Sequence, residues 1–447
     1  MPAPLNAQLA NTYPLHLATL AERTTRALEA TGFDALLLHS GSRLTVFEDD
    51  RTYPFIAHAP FRAWAPLNDA PDSFIYVAPG QRPRLILHQP RDYWHQPPAV
   101  PSGYWAEHFD IRTVPEPSAA RAQLPQNLSD TAYIGDPLPE LEPWGVRAVN
   151  PAALMRRLDY ARAQKTAYEI VCLREANRTG VAGHRAAREA FYADASEFEI
   201  ELAFLRASGL REQELPYNPI VALNAAAAVL HYQLLGRSPP PERHSMLIDA
   251  GTEFAGYASD ITRTYARQAD DFAALIEAMD RLQQRLAHEV RPGLDWRSLH
   301  LRCHELLATL LHEADLVRCP PEEALARGLT RLFLPHGLGH LLGLEVHDVG
   351  ARLASPEGPE EIPRPHADPA LRLTRVLEPG FVVTLEPGLY FIDSLLEGAR
   401  ADGRAGLLNW TRIGELARCG GIRIEDDLVV TPAGCENLTR EAFQSAG

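Results

Sequence analysis

The chain has 447 residues, 46% of them hydrophobic and 23% charged, with a formal charge of −15. That length points to two domains rather than one, and the composition is that of an ordinary globular protein. The negative charge, with no basic block, argues against nucleic acid as the main partner, and the longest apolar run (IVALNAAAAVL, 220–230) is too short for a membrane helix.

The N-terminal segment MPAPLNAQLANTYPLHL lacks a basic stretch followed by an apolar core, so no leader is expected. Helical spacing runs over 15–31, after which 34–39, 73–79, 82–90 and 131–136 read as strands. Between them lie Pro- and Trp-rich loops such as PFRAWAPLNDAPD, and residues 1–158 read as a small α/β domain. From about Met155 a long, charged, helix-prone stretch follows, with further helical spacing at 196–209 and 272–289. Interleaved with these are LPYNPIVALN, HSMLIDAG, ASDITRTY, GFVVTLEPGLY and GGIRIEDDLVVT, all strand-like. Residues 159–447 therefore read as α+β, with strands gathered into one sheet and helices over a face. Five cysteines (172, 303, 319, 419, 435) show no CxxC spacing, which suggests reduced thiols and a cytoplasmic protein. Lys165 is the single lysine, so Schiff-base chemistry has almost no candidate.

The stretch SMLIDAGTEFAGYASDITRTY (245–265) places Asp249 at the end of an apolar strand and Asp260 eleven residues on. With a turn centred near Phe254 and Ala255, the two acids face each other across a hairpin, where opposed Cβ atoms lie ~5 Å apart. Two carboxylates there repel and call for a positive partner between them. Three later segments supply similar groups. LPHGLGHLLGLEVHDVG holds His336, His340 and His347, VVTLEPG ends a strand on Glu386, and GGIRIEDDLVV turns Arg423 and Glu425 to one strand face. Singly, each acid reads as a turn or surface residue and each histidine as one of 17. Together, Asp249, Asp260, Glu386 and Glu425 carry four charges that two dications would balance. Oxygen donors with one imidazole and no thiolate suit manganese, cobalt or zinc.

The ordered set IDAG, SDITRT, HGLGH…HDVG, LEPGLY and GIRIED resembles the metal-dependent pita-bread hydrolases, which include methionine aminopeptidase, aminopeptidase P and prolidase. FEDDRTYPF, FRAWAPLND, DYWH and LPYNPIVALNAAAAVLHY extend the likeness to bacterial Xaa-Pro dipeptidases, including the organophosphorus acid anhydrolases. The resemblance implies a C-terminal pita-bread domain holding two divalent ions, most suitably manganese. Asp249, Asp260, His340, Glu386 and Glu425 would be the ligands, and Glu386 would also shuttle the proton. It implies that His231 and His347 stabilise the reacting carbonyl, and that His336, Arg423, Arg372 and Tyr217 contact substrate. It further implies Xaa-Pro dipeptides as substrates and a homodimer in which loops near Asp49, Asp50 and Trp94 cap the partner's pocket. Phosphotriester hydrolysis would be a side activity. Aminopeptidase P, acting on longer Xaa-Pro peptides, and a non-catalytic pita-bread binding module are the alternatives; the second would lack part of the ligand set. Other motifs fail: there is no GxSxG, and HELLA at 304–308 lacks the second histidine of HExxH.

Overall fold

In the N-terminal part, apolar strands alternate with helices that cover them. The computed structural model describes residues 3–94 and 96–445. Met1, Pro2 and His95 of the DYWH segment lie outside them. One compact unit comprises 1–172, 255–257 and 353–360, and the other comprises 173–254, 258–352 and 361–447.

The first unit opens with helix α1 (Ala3–Thr31), twelve residues longer at its start than the spacing indicated, because it runs through Pro14. Tyr13, fully buried, anchors that first portion by donating a 2.5 Å hydrogen bond to the Trp64 carbonyl. Strand β1 (Ala35–His39) is followed by α2 (Ala59–Trp64), β2 (Phe74–Val77), β3 (Arg84–His88), β4 (Asp110–Val114), β5 (Thr131–Ile134), α3 (Leu141–Trp144) and β6 (Ala148–Val149). They form one mixed sheet of order β4-β3-β2-β1-β5-β6. β1 runs antiparallel to β2 and parallel to β5. Leu36, Leu37 and Leu38, the apolar run that marked β1, are all buried at its centre. β4 and β6 were not evident in sequence: β4 (DIRTV) is half polar at a sheet edge, and β6 has two residues.

The helix-prone stretch divides into α4 (Ala152–Arg162) and α5 (Ala167–Tyr192). The break is written in TAYE: the Thr166 amide donates to Glu169 Oε2 at 2.7 Å and the Glu169 amide to Thr166 Oγ1 at 3.4 Å, a reciprocal N-terminal cap.

The second unit adds α6 (Glu197–Ser208), β7 (Ile220–Leu223), β8 (Ser245–Asp249), β9 (Glu253–Phe254), β10 (Tyr257–Ala258), β11 (Thr262–Ala266), α7 (Asp271–Glu289) and α8 (Trp296–Glu313). Its later strands are β12 (Val382–Leu385), β13 (Gly388–Tyr390), β14 (Gly421–Arg423), β15 (Asp426–Thr431) and β16 (Gly434–Asn437). The α+β expectation holds, but these strands make separate ladders, β11-β8-β7, β12-β15-β16 and β13-β14, rather than one sheet. The chain steps off β14 at Glu425, where its amide donates to the Thr262 carbonyl at 3.0 Å, and only then begins β15. That step joins the ladders while keeping them distinct.

Candidate active site

The first acid pair corrects the expected register. β8 and β11 pair antiparallel with Asp249 opposite Thr262, not Asp260. The reason is the turn: Ala255 and Gly256 both adopt positive φ, 52° and 91°, so the reversal is centred between them. The pairing therefore slides by two residues. Because side chains alternate with period two, a slide of two preserves the face, and Asp260 still points the same way as Asp249. The Ala250 amide continues the register by donating to the Ile261 carbonyl at 3.0 Å.

His340 is placed by a strand-like run beside β12. The Thr384 amide donates to the His340 carbonyl, and the Glu386 amide to the Leu338 carbonyl, at 3.0 and 2.9 Å. The run fits because Gly339 has no side chain, since a Cβ there would lie 2.1 Å from the Thr384 carbonyl oxygen. His340 and Glu386 are thereby brought to one place. His340 Nε2 stands 3.4 Å from Asp260 Oδ2 and 3.8 Å from Glu386 Oε1. Nδ1 donates to the Leu341 carbonyl at 3.1 Å, which leaves Nε2 as the nitrogen turned to the acids. Donor atoms of Asp260, His340 and Glu425, all buried, lie within 4.8 Å of one another. Thr262 Oγ1 donates to Glu425 Oε2 at 2.7 Å, and Tyr217 Oη stands 2.8 and 2.7 Å from Asp249 Oδ1 and Asp260 Oδ1.

The electrostatics follow from crowding. Burial pushes Glu386 up to about 7, with His340 opposing the rise. Burial, joined by the Asp260 charge, drives Glu425 well above the ordinary carboxylate range, and burial also raises Asp249. Asp260 is the exception: burial works to raise it, but the hydrogen bond and charge of His340, joined by Tyr217 and His347, together hold it low. Burial and the nearby Arg423 charge push His336 down to about 3, so this imidazole is neutral.

All eleven residues singled out in sequence line one cavity of about 750 Å³: Tyr217, His231, Asp249, Asp260, His336, His340, His347, Arg372, Glu386, Arg423 and Glu425. They differ in what they do there. Arg423 spends its donors on the site itself, with Nη2 to Asp249 Oδ2 at 2.6 Å, Nη1 to Tyr390 Oη at 3.0 Å and Nε to Thr262 Oγ1 at 3.1 Å. Tyr217, expected at substrate, instead touches the two aspartates. His347, with its ring 4.4 Å from that of His340, His231 and Arg372 are exposed on the cavity wall.

Sequence reasoning missed two supporting residues, Tyr390 and Asp427. Tyr390 Oη meets both Arg423 and His336 Nε2, the latter at 2.8 Å. Its signal was the glycines opposite and beside it: a Cβ on Gly421 or Gly388 would lie 2.6 Å from the Tyr390 side chain. Asp427 Oδ2 accepts from the Asp260 amide at 3.1 Å and from Asn177 Nδ2 at 2.7 Å, bracing the backbone that carries Asp260.

The same chain matches two family models, one described as the Xaa-Pro dipeptidase N-terminal domain over 11–160 and one as metallopeptidase family M24 over 171–432. The chain belongs to metallopeptidase family M24. Among M24 relatives, a Xaa-Pro dipeptidase of Stenotrophomonas maltophilia is 48% identical over 97% of this chain and 98% of its own length. One from Xanthomonas campestris pv. campestris is 48% identical over 96% and 97%. Among solved structures, aminopeptidase PepP of Pseudomonas aeruginosa superposes with a TM-score of 0.71 at 23% identity, covering 95% of each chain. Zinc-substituted Escherichia coli aminopeptidase P in complex with product gives 0.69 at 22%, covering 94% and 95%. These two establish the pita-bread fold of the M24 unit.

Proposed function

We propose that this M24 chain is a two-metal hydrolase that cleaves Xaa-Pro dipeptides. The observation that carries the reading is the convergence of Asp249, Asp260, His340, Glu386 and Glu425 on one cavity in a chain 48% identical, nearly end to end, to Xaa-Pro dipeptidases. The donor set fits a pair of dications: four carboxylates that resist ionising together, and an imidazole whose Nε2 is aimed at them. Asp249 and Asp260 would hold one ion, and His340 with Glu386 the other; Asp260 and Glu425 would serve both. The oxygen-rich set favours manganese over cobalt or zinc. When bound, such a pair lowers the pKa of a water and polarises the scissile carbonyl.

The chain's own residues supply the rest. Glu386, titrating near neutrality when metal-free, takes a proton from water at its carboxylate and returns it to the proline nitrogen. His231 and His347 donate toward the carbonyl oxygen from the cavity wall. The planar fork of Arg372 receives the dipeptide's terminal carboxylate in two hydrogen bonds. Arg423 holds Asp249 in place while Tyr390 orients Arg423. The smaller unit, 1–158 by sequence, excludes longer peptides in a homodimer, with Asp49, Asp50 and the exposed Trp94 at the partner's pocket. Five free cysteines support a cytoplasmic location. No helix among the described residues is long and apolar enough to cross a membrane. Phosphotriester hydrolysis is the side activity the same water would support.

The test compares Ala-Pro with Ala-Pro-Ala before and after chelation. Hydrolysis of the dipeptide alone, lost with metal and restored by manganese, is expected. Preferential cleavage of the tripeptide would assign the chain to aminopeptidase P chemistry instead.

A further inference from the structure

A second set of metal-type donors sits within the M24 unit, away from the cavity lining. His300 and His304 lie one turn apart on α8, and both are completely buried. The i, i+4 spacing turns their rings to one side, with centroids 4.7 Å apart at 86°. Between them reaches Asp368, also buried. Its Oδ1 lies 3.4 Å from His300 Nε2 and 3.7 Å from His304 Nε2. All three donor atoms fall within 4.8 Å of one another.

Three of the four ring nitrogens here lack hydrogen bonds. Neither nitrogen of His300 has one, nor does His304 Nε2. Buried polar atoms nearly always find partners, so two orphans, His300 Nε2 and His304 Nε2, turned to the same carboxylate oxygen signal a ligand. The surrounding groups are arranged as a metal site requires. His304 Nδ1 lies 3.0 Å from Thr330 Oγ1; donating there fixes the tautomer that leaves Nε2 bare. Arg331 grips Asp368 through Nε to Oδ1 at 2.7 Å and Nη2 to Oδ2 at 2.9 Å, locking the carboxylate with Oδ1 toward the histidines. Zinc bonds of about 2.0–2.1 Å imply tetrahedral donor–donor edges of about 3.3–3.4 Å, close to the separations seen. The Arg331 charge weakens but does not forbid such a site, since three-imidazole zinc sites carry no carboxylate at all.

We propose that His300, His304 and Asp368 form a third metal site, taking a zinc-class dication through two nitrogens and one oxygen. Asp368 starts a turn closed by the Leu371 amide on its carbonyl at 3.2 Å, and Arg372 follows directly. An ion here would pin the Arg372 segment to α8.

The test is zinc content of the full-length chain after loading and exhaustive dialysis. Wild type is expected to retain three zinc per chain and His304→Gln two. The paired variant Asp260→Asn, His340→Ala, which leaves α8 intact, is expected to keep at least one, with X-ray absorption of that zinc showing two imidazoles. Saturation of wild type at two with no loss in His304→Gln would overturn the site. So would a paired variant that holds no two-imidazole zinc, an outcome that stands even if His304→Gln fails to fold. Failure of the cavity pair instead would give wild type a single zinc, lost in His304→Gln.

Discussion

Removing the metals should reverse the pH dependence of stability, and Glu386 sets the size of the effect. In the metal-free protein this carboxyl moves from its ordinary 4.5 to about 7 because burial disfavours its charge. Between those values the unfolded chain has released the proton and the folded chain retains it, so stability present below pH ~4.5 drains away as pH rises through 7. At about 1.4 kcal/mol per pH unit the loss is about 3 kcal/mol. Glu425 and Asp249, also raised, act in the same direction. With about 2 °C per kcal/mol for a unit of this size, the melting temperature of chelated protein should fall by about 6 °C between pH 5 and 8 through Glu386 alone. Manganese-loaded protein should gain stability over the same range, because bound dications keep the acids ionised and compete with protons. The assay is thermal unfolding of chelated and reloaded protein at unit pH steps, with chelated Glu386→Gln as the control. A chelated wild type whose melting temperature is level or rising, or a Glu386→Gln variant with the same slope as wild type, would refute the electrostatic account of the site.

Three further outcomes follow from the same geometry. Glu386→Gln should keep metal by elemental analysis yet lose at least about 10²-fold in kcat on Ala-Pro, the scale of general acid–base catalysis. Arg423→Lys cannot span Asp249, Tyr390 and Thr262 with a single ammonium, and should weaken manganese affinity about tenfold or more by titration calorimetry. Gly339→Ala forces a Cβ onto the Thr384 carbonyl oxygen. It should displace His340, so that soluble Gly339→Ala protein holds substoichiometric metal.

The ligand set was legible because each donor ends a strand or follows a Gly turn, where apolar patterning is strong and the polar residue stands out. Exact pairing was not. Placing the turn at 254–255 rather than 255–256 needs the φ of Ala255, a left-handed conformation that alanine rarely adopts and sequence does not announce. The answer survived because the slip was even; a slip of one would have buried Asp260 on the wrong face. The division between α4 and α5 was readable in Thr166 and Glu169, but the helical periodicity on either side hid it. Tyr390 and Asp427 were missed for another reason: their partners, such as Arg423 on β14, Asn177 on α5 and the Asp260 amide ahead of β11, lie far along the chain, and only the assembled fold brings them together.

Glu425 occupies the step where one ladder ends and the next begins, its amide tied to Thr262 and its carboxylate among groups drawn from far along the chain. An ion held there would act as a rivet through several layers rather than as a passenger in a finished pocket. Stripping it should loosen β11, β14 and β15 together, and hydrogen exchange in those three strands should quicken in concert while the sheet of the first unit keeps its pace.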